Sequence, residues 1–246
     1  MAYQIIYGVG KAVLRDFKDR TKVIGLATLQ DLNVESSSSQ DDITGGNKMF
    51  PIASFKKDMA IKVSGTNATF SGDLVEYMDG AKVSTGATAM TGFLEVSVPS
   101  TGIVALEQTP VENSVYVVGF TRGETAGANK FSVSGKNVTF DKSVAGQVVS
   151  IVYEYTSTEN TKEYSVVESS MSKPFEFSYL FPIYDEDSQI VAQGEVRIYK
   201  AQCTSGFKID AKDKTASTQT FEASARDAQR ADGKFWSLFI DGKEVA

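Results

Sequence analysis

Apolar and polar residues alternate in short runs along most of the chain, and a period of two reads as half-buried β-strands rather than helices. Runs at 55–70, 93–98, 114–120, 130–140, 147–157, 164–169, 174–185, 189–203 and 234–242 are bounded by Gly, Ser, Asn, Asp or Pro. Each is expected to form a strand or a strand pair. The segment 21–36 puts Leu26, Thr28, Gln30, Leu32 and Val34 on one face, as one more strand with a mixed inner face. Strands at this spacing predict a mainly β fold, a sandwich or a barrel. Two short helices are expected to interrupt it. "SGDLVEYMDGA" offers Ser71 as a cap, Leu74, Val75 and Met78 on one face, and Gly80 at the C-terminal cap. "RDAQRADG" reads as a helical turn or a charged loop.

One stretch breaks the pattern. "SSSSQDDITGGNKMFPIASF", residues 36–55, is polar, passes through Asp41, Asp42, Gly45 and Gly46, and ends in apolar residues around Pro51. Read as a loop it is long for a connection within a compact domain, and long loops are usually functional or disordered.

The octapeptides "VSGTNATF" (63–70) and "VSGKNVTF" (133–140) agree at six positions. The plain reading is one hairpin turn used twice, with Gly65 and Gly135 supplying positive φ. Both contain Asn-x-Thr, at Asn67 and Asn137. Without a secretion signal, these are turn residues rather than glycosylation sites.

Composition narrows the chemistry. With 246 residues, 41% of them hydrophobic, the chain can bury a sizeable core. Lys and Arg total 25 against 31 Asp and Glu, a net charge of −6 that opposes association with nucleic acid. There is no histidine and one cysteine, Cys203. His-dependent triads, bases and metal ligands are therefore excluded, as is an intramolecular disulfide. Cys203 lies in an alternating run and reads as a small core residue. "GVGK" at Gly8–Lys11 lacks phosphate-loop spacing and reads as a turn. Ser54-x-x-Lys57 and Ser170-x-x-Lys173 lack the companion motifs of serine acyl-enzymes. Asp41-Asp42 and Asp185-Glu186-Asp187 lack calcium-loop spacing and read as solvated turns. No catalytic residue, cofactor or metal site is expected. Phe235, Trp236, Leu238, Phe239 and Ile240 put apolar groups on both faces of one strand, which suits core packing or a neighbouring subunit. No segment has the length of a membrane span, and the N-terminal stretch has no signal-like apolar core. The chain is thus read as mature, kept in the cytoplasm until assembly.

An early strand, the polar stretch ending in "TGGNKMFPIASF", a strand with the helix "GDLVEYMDG", and a late "FEASARDAQRADGKFWSLFIDG" together resemble the major tail tube protein of long-tailed (siphophage-type) bacteriophages. The resemblance covers roughly 9–80 and 189–242, and 96–165 matches it less, as strands that complete the core or as an inserted β region. It implies one tail-tube-like β-sandwich or barrel domain with one or two flanking helices. It also implies hexameric rings stacked into a tube, assembled in the host cytoplasm and residing in the virion tail. The partners it implies are further copies of the chain, the tape measure, terminator and distal tail proteins, and DNA that passes without specific binding; an acidic lumen would repel phosphates.

On this resemblance the stretch 35–51 reaches the next subunit or ring: Glu35, Asp41 and Asp42 along it, Gly45 and Gly46 at the reversal, and Met49, Phe50 and Pro51 docking. An N-terminal arm over 1–20 would do the same. The plainer reading is an exposed loop and tail. Alternatives are another virion component (capsid decoration, tail terminator or baseplate protein), which would close its oligomer, and a carbohydrate-binding or adhesion module, which would expose an aromatic platform.

Overall fold

The computed structural model describes residues 4–46, 49–211 and 213–242. In chain order it forms β1 (Ile5–Ile6), β2 (Lys11–Asp16), β3 (Val23–Leu26), β4 (Leu29–Ile43), β5 (Ala53–Asn67), helix α1 (Gly72–Met78) and β6 (Lys82–Thr85). Next come β7 (Ala89–Ser97), β8 (Ile103–Ala105), β9 (Tyr116–Val117), β10 (Thr121–Arg122), β11 (Lys130–Ser134), β12 (Asn137–Phe140) and β13 (Val148–Thr156). The chain closes with β14 (Lys162–Ser165), β15 (Pro174–Tyr184), β16 (Ile190–Cys203), β17 (Gln219–Ala225) and β18 (Trp236–Gly242). The fold is mainly β, with one α-helix among the described residues.

The chain divides into two units, Met1–Lys82 with Tyr164–Ala246, and Val83–Glu163. The region marked out from sequence as 96–165 overlaps the second unit. The chain crosses between them through β6 and β14, which pair as a two-stranded sheet.

The first unit is one nine-stranded sheet in the order β3-β2-β15-β16-β17-β5-β4, with β1 added beside β15 and β18 beside β16. Its two faces differ. Leu14, Phe175, Phe177 and Ile198 are fully buried on one face, with Leu74, Tyr77 and Met78 of α1 in the same cluster. The Tyr77 ring meets Phe175 edge-on at 5.9 Å. The helix lies where the apolar spacing predicts it, and Gly80 takes the left-handed conformation, φ 68°, just beyond its C-cap. Ser71 is the N-cap residue, yet its side chain makes no capping bond. The other face is polar: Arg15 lies opposite Glu176, and Ser178 lies between Val13 and Arg197. One solvated face is ordinary for an antiparallel sheet.

Several expectations are corrected here. The segment 21–36 is not one strand: it breaks between β3 and β4, and a bulge between Leu29 and Asp31 resets the alternation. The region 1–20 is not a free arm, because β2 pairs with both β15 and β3 and buries Ala12 and Leu14; residues 1–3 lie outside the described residues. "GVGK" is a turn as expected, with Gly8 and Gly10 at φ 82° and 67°. Of the two readings of "RDAQRADG" the charged loop holds: no helix forms, and Gln229 and Gly233 adopt positive φ within it. β17 was missed altogether.

The second unit is a small sandwich. The sheets β10-β11-β12-β8 and β7-β13-β9 bury Val104, Phe131, Val138, Phe140 and Ile151 in one cluster. Gly135 begins the two-residue turn between β11 and β12 at φ 56°, as the octapeptide predicts. Gly65, in the matching octapeptide, does something else. It sits inside β5 opposite Phe221 and Leu32, and a Cβ there would lie 2.8 Å from Leu32 Cδ1 and 3.0 Å from Phe221 Cε1. The first glycine is needed for space, the second for its backbone angle.

Candidate functional site

The stretch 35–51 is the far half of a β-hairpin, not a loop. β4 and β5 are each fifteen residues long. Up to Lys62, β5 also pairs with β17, from Gln219↔Asn67 to Ser224↔Lys62. Beyond that point β5 pairs only with β4, from Ser36↔Ile61 out to Ile43↔Ala53. A two-stranded ribbon thus continues past the sheet. At roughly 3.4 Å per residue, its unsupported part reaches on the order of 30 Å.

Serine, glutamine and aspartate are poor strand formers, which hid this element in the sequence. Cross-strand bonds hold it instead. Asp42 faces Ser54 and accepts its hydroxyl at 2.5 Å, Ser39 donates to Asp58 at 3.1 Å, and Asp41 lies 3.5 Å from Lys57 Nζ. Glu35 faces Lys62 at the ribbon's base. Gly45 and Gly46 are at the tip, Gly46 at φ 65°, and the Ile52 amide donates to the Ile43 carbonyl at 2.8 Å to close the turn. Asn47 and Lys48 lie outside the described residues. Met49, Phe50 and Pro51 are exposed, Met49 to 95% and Phe50 to 79%. Ile43, Ile52, Phe55 and Met59 are exposed along the strands. A bulge sets Lys57 and Asp58 against Ser39, so Phe55 and Met59 fall on opposite faces.

A second exposed apolar element lies at β18. It pairs with β16 from Ile198↔Trp236 to Ala192↔Gly242, and no strand covers its outer edge among the described residues. Leu238 and Ile240 are half exposed, and Phe235, Trp236 and Phe239 nearly so. Of the two sequence readings of these residues, core packing or a neighbouring subunit, their exposure goes against core packing.

The remaining sequence candidates behave as structure. Cys203 is buried, and burial, then the Asp79 charge, pushes its thiol up to about 12. Asp185 accepts the amides of Asp187 and Gln189 in the turn after β15. Lys173 pairs with the buried Glu76. Among the described residues no group of three His, Cys, Asp or Glu is placed to hold a metal ion, and no helix is long and apolar enough to cross a membrane.

The model of the YomU/Tube protein family matches residues 4–237, through both units. The chain belongs to this family. The family name points to a tube-like phage structural protein, hence to a virion component and a non-enzymatic role. No curated protein matches the chain. The hairpin lies within the family match, which ends just inside β18, after Ser237.

Proposed function

We propose that the protein is a tail tube subunit, forming hexameric rings that stack into the conduit through which phage DNA leaves. The observation that carries this reading is the ribbon of β4 and β5. An isolated two-stranded hairpin is marginal in water, and this one exposes Ile43, Met49, Phe50, Ile52, Phe55 and Met59. It becomes stable when another copy covers it. Long strands with bare apolar edges are otherwise an aggregation hazard. A repeated head-to-tail contact turns that hazard into an open-ended assembly. In the same reading residues 83–163 are an elaboration inserted between the two halves of the tube-forming unit. The other partners are the tape measure, terminator and distal tail proteins. The net charge of −6 lets DNA pass without being held.

The test trims the ribbon at matched positions. Ser38 and Met59 are register partners, so removing 39–58 and joining them by Asn-Gly leaves the supported part of the hairpin intact. Wild type should form tubes by electron microscopy and sedimentation, assembled from protein made in the host cytoplasm. The trimmed protein should keep its β circular dichroism and fail to stack. Tubes identical to wild type from the trimmed protein, or closed rings only from wild type at every concentration, would overturn the proposal.

A further inference from the structure

On the polar face of the first unit's sheet lies a recess of about 400 Å³. We infer that it is an oxyanion site that takes a phosphate group. Four arginines line it against two glutamates, in a chain whose net charge is −6. They come from separate elements: Arg15 from β2, Arg197 from β16, Arg20 from the β2–β3 connection and Arg230 from the β17–β18 connection. Such convergence requires the register of three strands, β2, β15 and β16, and two loops to agree, which a solvated face does not.

The recess is preorganised. Glu176 is buried at its floor and accepts from Arg20 at 2.5 Å, with Arg15 at 3.8 Å on its other oxygen. Two guanidinium groups thus share one carboxylate, and Arg15 is beyond hydrogen-bonding distance. Glu195 holds Arg197 by two bonds of 2.8 Å. Asp232 holds Arg230 by two more of 2.8 Å, and Arg230 stacks on Tyr199 at 4.0 Å. The forks of Arg197 and Arg230 are fixed in orientation and keep donors to spare, the geometry suited to phosphate or carboxylate oxygens. With Asp232 counted beside Glu176 and Glu195, the four arginines keep a surplus of one positive charge, which favours an anion there. The arginine side chains are 36–56% exposed, so the mouth is open to a ligand.

A phosphate group could be free in solution or part of nucleic acid, and the experiment separates these sources. Thermal melts of dilute full-length protein are followed in sodium phosphate, in sodium chloride at matched ionic strength, and with a short single-stranded DNA. Phosphate at roughly tenfold above its dissociation constant should raise the melting temperature by about 3–6 °C over chloride. The double variant Arg20→Gln, Arg230→Gln should lose this shift, and the control Lys142→Gln, Lys208→Gln should keep it. Both arginines lie on loops, and circular dichroism checks that the variant is folded. A shift with DNA alone, lost in the same variant, supports the site with a phosphodiester as its source. Equal melting in phosphate, chloride and DNA, or an equal phosphate shift in the arginine variant, overturns it. Loss of the phosphate shift leaves the tube proposal untouched, since the melts do not depend on assembly, whereas a shift with DNA would count against its free passage through a tube.

Discussion

The Tyr77 hydroxyl donates to Asp16 Oδ2 at 3.2 Å, joining α1 to the end of β2. Asp16 Oδ1 also accepts the amides of Lys18 and Asp19 at 2.8 and 2.7 Å. Burial works against its ionisation, but these bonds and the Lys173 charge outweigh it and hold the carboxyl below its ordinary 3.8. A carboxyl lowered in the folded state stabilises above its unfolded value and loses that contribution as pH falls through the folded one. Asp16→Asn should therefore cost about 1–2 kcal/mol at pH 7 and flatten the acid limb of stability below about pH 4. Urea unfolding at pH 7 and pH 3 measures both; an unchanged acid limb would refute the assignment.

The two octapeptide glycines should respond differently to alanine. Gly135→Ala meets nothing within 4 Å and should cost only the left-handed backbone strain, about 1–2 kcal/mol. Gly65→Ala must displace Leu32 and Phe221 and should cost about 1–3 kcal/mol through overpacking. Gly65→Ser should be worse than Gly65→Ala, whereas Gly135→Asn should recover much of the loss, because asparagine tolerates positive φ. Chemical denaturation of the four variants decides it.

Cys203 should be inert in the native protein. With its thiol pushed up to about 12, almost no thiolate exists at pH 8. A chromogenic disulfide reagent should react only as the protein unfolds. Fast labelling under native conditions would contradict the burial.

Ile151 is fully buried and pairs with Leu94 and Val117. Ile151→Ala should cost about 2–5 kcal/mol. Hydrogen exchange should place the lost protection within 83–163.

Leu238→Lys with Ile240→Lys tests the β18 edge. Both side chains are half exposed, so the subunit should fold as before. Lysines on an edge strand oppose further pairing, and self-association should fall by at least tenfold in sedimentation.

The sequence carried the strands whose side chains alternate strongly and the helix whose face was read from Leu74, Val75 and Met78. It hid three things for identifiable reasons. The ribbon at Ser36–Ile43 lacks β propensity and exists through pairing. β17 alternates as Phe221, Ala223 and Ala225, too small to register as an apolar stripe. The arginine recess depends on Arg15, Glu176 and Arg197 being aligned across strands, and register is not a local property. The same limit made two similar octapeptides look equivalent: what distinguishes Gly65 is Phe221, which is remote in sequence.

The crossing of the chain through β6 and β14 also sets an order of folding. Residues 83–163 are contiguous, and their sandwich can close as soon as they are synthesised. The nine-stranded sheet cannot, because β2 waits for β15; Arg20 and its partner Glu176 are 156 positions apart. Until then the first 82 residues hold an unfinished sheet and an exposed ribbon. The late arrival of β15 and β16 therefore acts as a timer, delaying the moment at which the first 82 residues gain a finished sheet.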